Sequence, residues 1–422
     1  MAELLTAPYE GLPDLISTPE QFEDMLEQLS KGSGPFAVDA ERASGYRYSS
    51  RAYLIQIKRT DGGLHLIDPI PFGVGSPYFL RLNELWQDEE VILHASTQDL
   101  PCLREVGLNP SHLFDTELAG RLIGLPRVGL GALVESLLNI GLAKEHSAQD
   151  WSVRPLPEDW LNYAALDVEL LVELRNEIEK LLIEKKKLKW AQQEFAAILT
   201  SPPAPKRIDP WRRTSGMHKV RKRSQLAVVK SLWEARDDLA AHLDISPGRI
   251  LSDLAISTIA LASGTAPLVT KRDLEKVLRP IGLRARWFEN TSRWIKAIEG
   301  ALALSEDQCP DNRSKSDALP PIKIWRDRFP EKYIPLSHAR FQMSLMAEEL
   351  ELPAENLLTP EHLRQICWLL PEPGEVAGLL ATMGARQWQI DIAAPILIGA
   401  LSESEALEIP EPEEAPPADP AP

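Results

Sequence analysis

Phe36-Ala37-Val38-Asp39-Ala40-Glu41 is the stretch on which the reading of the fold turns. The apolar run Phe36 to Val38, entered from Gly32, Ser33, Gly34 and Pro35, predicts a buried strand. Side chains two residues apart on an extended chain leave the same face, so Asp39 and Glu41 point the same way. Like charges held that close raise one another's pKa unless a cation lies between them. Hard carboxylate oxygens suit Mg²⁺ or Mn²⁺. An isolated pair of this kind is most often the start of a surface loop, so the reading depends on further carboxylates arriving from elsewhere.

Two do. Asp99 follows a short expected strand, Val91 to His94, and the small-residue turn Ala95-Ser96-Thr97, which places it in the first turn of a helix at the sheet edge. Asp167 stands four residues after Tyr163, so the two share one face of a helix expected from about Glu158 to Lys187. Taken singly, Asp99 only favours the positive helix N-terminus, Tyr163 sits in the core rim and Asp167 at the surface. Together, Asp39, Glu41, Asp99 and Asp167 can meet at one sheet edge. Four carboxylates in one cleft need cations, and two divalent ions about 3.5–4 Å apart would satisfy them and clamp an in-line phosphoryl displacement. Tyr163, with an ordinary pKa near 10, is better suited to orient water than to act as a base.

Around these residues the chain reads as mixed α/β. Thr18-Pro19-Glu20 opens a helix to about Ser30. Tyr53 to Lys58 and Leu64 to Ile67, joined through Asp61-Gly62-Gly63, form a hairpin and make an antiparallel meander with the first strand. A helix at about Tyr78 to Trp86 and a last short strand at His112 to Phe114 precede the helical close. This is a mixed sheet with helices on its faces.

At 422 residues the chain is expected to hold two or three domains. No run is long enough to span a bilayer, the N-terminus lacks the pattern of a secretion signal, and Cys102, Cys309 and Cys367 show no metal or disulfide spacing. A cytoplasmic protein without membrane association is expected, and no obligate protein partner announces itself. The net charge of −16 conceals an uneven distribution. Between Glu184 and Lys230 there are 13 Lys/Arg against three Asp/Glu, whereas the last 21 residues carry seven acids and no base. Local charge is what a phosphate backbone meets. Arg221, Lys222 and Arg223 are therefore candidates for tracking nucleic acid, the alternative being a solvated linker.

The order D-x-E, then Asp in H-A-S-x-Q-D-L, then Y-x-x-x-D resembles the DEDD family of 3′–5′ exonucleases, tyrosine subclass. Phe36-Ala-Val-Asp-Ala-Glu, Tyr53-Leu-Ile-Gln-Ile and Asp150-Trp-Ser-Val-Arg-Pro-Leu156 resemble its ribonuclease D branch, over roughly residues 15–190. Leu232-Trp-Glu-Ala-Arg with Ile245-Ser-Pro-Gly-Arg-Ile-Leu-Ser-Asp253 is similar to an HRDC module, and 320–401 to a second such module. The resemblance implies an RNase H-like fold, two Mg²⁺ or Mn²⁺ ions, and release of 5′-nucleotides from RNA 3′ ends, transfer-RNA precursors among them. It makes Asp39, Glu41, Asp99 and Asp167 the metal ligands and Tyr163 the water-orienting residue. Ala40 departs from the threonine more usual between the two acids.

The implied organisation is an exonuclease domain at 1–200, a basic linker at 201–223, an HRDC domain at 224–303, a linker at 304–319, a second, HRDC-like helical module at 320–401 and an acidic tail at 402–422 expected to be disordered. His94 reads as a packed strand end. Gln56, Tyr53 and Arg51 either line the cleft for the terminal nucleotide or are ordinary strand positions. Asp150, Trp151 and Arg154 either pin the loop before the closing helix or touch the substrate strand. A 3′–5′ exodeoxyribonuclease would use the same acids, since only contacts to the 2′-hydroxyl separate the two. An RNA-binding scaffold with a decayed site is disfavoured by the intact set of acids.

Overall fold

The computed structural model describes residues 3–402 apart from 144–148, 203–204, 206, 266–267, 283 and 313–318. Lys206 and all of the acidic tail beyond Ser402 fall outside the described residues. In chain order the first part comprises β1 (Glu3–Leu5), β2 (Leu15–Ile16), α1 (Pro19–Lys31), β3 (Ser33–Arg42), β4 (Ala52–Thr60), β5 (Gly63–Ile67), α2 (Pro77–Leu85) and β6 (Glu90–Leu93). It continues with α3 (Leu100–Val106), β7 (His112–Asp115), α4 (Thr116–Leu122), α5 (Leu130–Leu138), β8 (Ile140–Leu142), α6 (Glu158–Glu169), α7 (Leu171–Glu184) and α8 (Leu188–Thr200).

The main sheet has six strands in the order β2-β5-β4-β3-β6-β7. The expected meander is present, with β3, β4 and β5 antiparallel, while β6 and β7 continue the sheet in parallel. β3 is thus interior, and Phe36, Ala37 and Val38 are wholly buried. Each large apolar side chain so buried contributes about 1.5–3 kcal/mol. α1 starts as its sequence dictates: Thr18 Oγ1 accepts from the Gln21 amide, and Gln21 Oε1 accepts from the Thr18 amide.

The closing helix is not continuous. Leu170, at φ −115° and ψ 11°, interrupts it between α6 and α7. The carbonyl of Glu169 accepts from Lys58 Nζ at 2.8 Å, and the Glu169 carboxylate pairs with the same amine at 2.9 Å. A half-buried cation on β4 thus takes a carbonyl at the helix end, a tertiary event that apolar periodicity does not register.

Helices at Arg223–Leu243, Asp253–Ala262, Lys271–Leu278 and Thr291–Leu302 enclose a second core. Trp211 and Val220 are buried in it, so part of the stretch expected as a linker belongs to the folded module. The helices between Trp325 and Ser402 share a continuous core with the exonuclease part. Trp190 of α8 stacks on Trp388 at 4.7 Å between centroids, and Glu194 accepts from Trp388 Nε1 and pairs with Arg386. Among the described residues no helix is long and apolar enough to cross a membrane.

Candidate active site

Asp39 and Glu41 leave β3 on the face covered by α6, which packs across β3, β4 and β5. α6 brings Asp167 to them. One carboxylate oxygen from each of Asp39, Glu41 and Asp167 lies within 4.8 Å of the others. Asp99 comes from the turn after β6 and is 5% exposed. It lies close enough for Asp39 and Asp167 to hold its carboxyl up electrostatically, and the Arg42 guanidinium stands 3.7 Å from its Oδ1. Its side chain makes no cap hydrogen bond to α3, so capping does not explain it.

What holds that turn comes from another strand and leaves no local pattern in the sequence. Ala95 adopts a left-handed φ of 57°, an unusual conformation for a residue with a β-carbon. Asp115 at the end of β7 fixes it, accepting from the amides of Ala95, Ser96 and Leu118 at 3.3, 2.8 and 3.0 Å and from Ser96 Oγ at 2.6 Å. The available signal was a second Asp at the C-terminal end of a parallel strand next to the first. His94 packs against Thr116 Oγ1 at 2.9 Å, and burial pushes its pKa down, as befits a strand-end residue.

The electrostatics are those of a site short of positive charge. Burial raises Asp39 to about 6, opposed by the Ala40 amide and the Arg42 charge. Burial, then Asp39, Asp167 and Asp99, push Glu41 up to about 10. Asp99 is raised to about 8 by burial and by Asp39, and Asp167 well above its ordinary value by burial and Asp39. The all-oxygen donor set, its close spacing and its unmet demand for positive charge fit divalent cations such as Mg²⁺ or Mn²⁺. Tyr163 hydrogen-bonds Asp167, and burial with the neighbouring acids drives its phenol further up, away from any role as a base.

Gln56 stands directly across the ladder from Asp39 and is wholly buried, with neither amide atom hydrogen-bonded. It lies beneath α6 and does not line an open cleft. Arg154 pins the loop before α6: it meets Asp68 through two contacts, of 2.7 and 2.8 Å, and donates to the Tyr53 and Trp151 carbonyls. Of the basic candidates, Arg221 and Lys222 are exposed, whereas Arg223 is bound to the Cys309 and Pro310 carbonyls and pairs with Asp311 at 3.2 Å. The loop following β3 is clasped by the first helical module. Asp244 accepts from the Ser49 amide at 2.8 Å and from the Tyr53 hydroxyl at 3.3 Å, and Arg249 donates to the Gly45 carbonyl while lying over the Tyr46 ring.

A mixed sheet presenting clustered acids beneath a tyrosine-bearing helix, with helical modules appended, defines a 3′–5′ exonuclease of multidomain type. Family models agree: a 3′–5′ exonuclease domain matches residues 13–183, an HRDC domain 225–264, and a 3′ to 5′ exonuclease C-terminal domain 318–401. The chain is 30% identical over 312 residues to ribonuclease D of Gluconacetobacter diazotrophicus, covering 71% of this chain and 75% of that protein. To ribonuclease D of Zymomonas mobilis it is 32% identical over 286 residues, covering 66% and 70%. The crystal structure of a Bifidobacterium adolescentis protein matches with a TM-score of 0.84 at 38% identity, covering 95% of this chain and 100% of that one. Escherichia coli RNase D shares the fold, with a TM-score of 0.65 at 21% identity over 93% and 99% of the two chains. The chain belongs to the ribonuclease D family and is a 3′–5′ exoribonuclease.

Proposed function

We propose that this exoribonuclease removes 5′-nucleotides from the 3′ ends of structured RNAs, transfer-RNA precursors among them, with two divalent cations, Mg²⁺ or Mn²⁺, at the carboxylate cluster. The observation that carries the reading is the meeting of Asp39, Glu41 and Asp167 oxygens within 4.8 Å with Asp99 alongside. Asp39, Glu41, Asp99 and Asp167 would hold the ions. Such ions, when bound, supply Lewis acidity to the scissile phosphate and a water of lowered pKa.

The remaining work falls to the chain. Tyr163 directs its hydroxyl toward the reacting water while Asp167 keeps it oriented. The water oxygen bonds to phosphorus, and the bond to the 3′-oxygen of the penultimate nucleotide breaks. That oxygen leaves with the electron pair and gains a proton, giving a nucleoside 5′-monophosphate and an RNA shorter by one residue. The first helical module, clasped to the loop after β3, offers Arg221 and Lys222 to the phosphates upstream.

The test is an assay of a 3′-extended transfer RNA with Mg²⁺, with Mn²⁺ and with EDTA, wild type beside Asp39→Asn. Trimming that survives EDTA or the substitution overturns the metal reading. A matched DNA strand degraded as fast as the RNA would transfer the proposal to deoxyribonuclease activity.

A further inference from the structure

We propose that Arg42 is a further catalytic residue, whose guanidinium leaves Asp99 to grip the non-bridging oxygens of the scissile phosphate. The inference rests on the metal-dependent reading above and adds a residue to it.

Arg42 is the last residue of β3, immediately after Glu41. Strict alternation would put its side chain on the face opposite Asp39 and Glu41. The ladder slips at this point: Glu41 faces Leu54 and Arg42 faces Ala52, leaving Tyr53 as an extra residue on β4. The extra residue belongs to β4, and irregularities of this kind recur beside active sites. Here the guanidinium ends 3.7 Å from Asp99 Oδ1 and 3.4 Å from Gln98 Oε1, at the rim of the carboxylate cluster, with the side chain 27% exposed.

Those contacts are long and single. Arg154, by contrast, meets Asp68 through two contacts, of 2.7 and 2.8 Å, and donates to backbone carbonyls besides. Arg154 is built to stay, whereas Arg42 is loosely held at the mouth of the site. Its partner is a carboxylate that the cluster's chemistry commits to cations. Once Asp99 is so engaged, a planar guanidinium with five donors remains beside the reacting centre. Its fork matches two phosphate oxygens, and its charge opposes the negative charge those oxygens carry as the bond to the 3′-oxygen breaks.

The experiment measures kcat and KM on a single-stranded RNA oligonucleotide with Mg²⁺, and Mn²⁺ affinity by paramagnetic resonance without RNA. Arg42→Ala, Arg42→Gln and Arg42→Lys are compared with wild type and Asp39→Asn; the glutamine variant keeps the stem, so the outcome does not depend on one variant folding. The expected result is kcat lower by about 100-fold in the alanine and glutamine variants with KM little changed. Partial recovery is expected in the lysine variant, which has the charge without the fork. Mn²⁺ affinity should be unchanged or tighter, because a competing cation has gone. A kcat within about threefold of wild type overturns the proposal. So does Mn²⁺ affinity falling in step with kcat, which would make Arg42 a support for Asp99. Full activity and Mn²⁺ binding in Asp39→Asn would instead defeat the metal reading.

Discussion

The Tyr163 hydroxyl hydrogen-bonds the Asp167 carboxylate one turn further along α6. A phenol whose pKa is driven upward by burial and by its acidic neighbours stays protonated, and so orients water instead of removing its proton. Tyr163→Phe should therefore lower kcat by about 100-fold or more and leave Mn²⁺ affinity close to wild type. Single-turnover rates that match wild type would remove Tyr163 from the chemistry.

Asp115 acts at one remove, through the turn that delivers Asp99. Its four accepted hydrogen bonds include one to the amide of Ala95, held in a left-handed conformation. Asp115→Ala should cost about 3 kcal/mol in denaturant unfolding, because several buried donors lose a charged acceptor together. Ser96→Ala should cost about 1 kcal/mol. In Asp115→Ala the Mn²⁺ affinity should fall along with activity, which separates it from Tyr163→Phe. Unaltered metal affinity would show that the turn holds its shape without Asp115.

The cluster makes the metal-free protein sensitive to pH in a definite direction. The folded-state pKa values of Asp39, about 6, and Asp99, about 8, lie above the unfolded carboxylate value near 4. Their contribution to stability is complete below pH 4 and is lost as pH rises through about 6 and then about 8. In EDTA the melting temperature should carry a downward component across that window. Cations need the deprotonated carboxylates, so the rise in melting temperature on adding Mn²⁺ should be larger at pH 8 than at pH 6. Equal metal-induced shifts at the two values would contradict this.

The sequence carried the sheet and the acids further than it carried their supports. Asp39 and Glu41 announce themselves by alternation after an apolar run, and Tyr163 and Asp167 by helical spacing, because local geometry alone sets those relations. The break at Leu170 coincides with Lys58 reaching Glu169 from β4. Asp115 and Arg42 act on Asp99 from other strands, and Trp388 joins the exonuclease core through Trp190 across almost two hundred residues. Gln56 was legible as a strand residue, but its complete burial beneath α6 was not. Such pairings arise only after folding has chosen neighbours, and no periodicity encodes them.

The basic stretch before Arg223–Leu243 divides by what each side chain already holds. Arg223 is bound to the Cys309 and Pro310 carbonyls and to Asp311, which fastens the start of that helix to a distant segment. Arg221 and Lys222 are exposed and belong to no ion pair among the described residues. A phosphate contact releases condensed counterions, so its loss reduces the steepness of log K against log[salt] by somewhat under one unit on single-stranded RNA. Arg221→Ala and Lys222→Ala should each flatten that slope by about this amount, with melting temperature unchanged. Arg223→Ala should do the reverse, lowering the melting temperature and leaving the slope as it was. Were all three to leave the slope untouched, this stretch would be a connector only, and the phosphates upstream of the cleaved end would have to be met by another face of the helical modules.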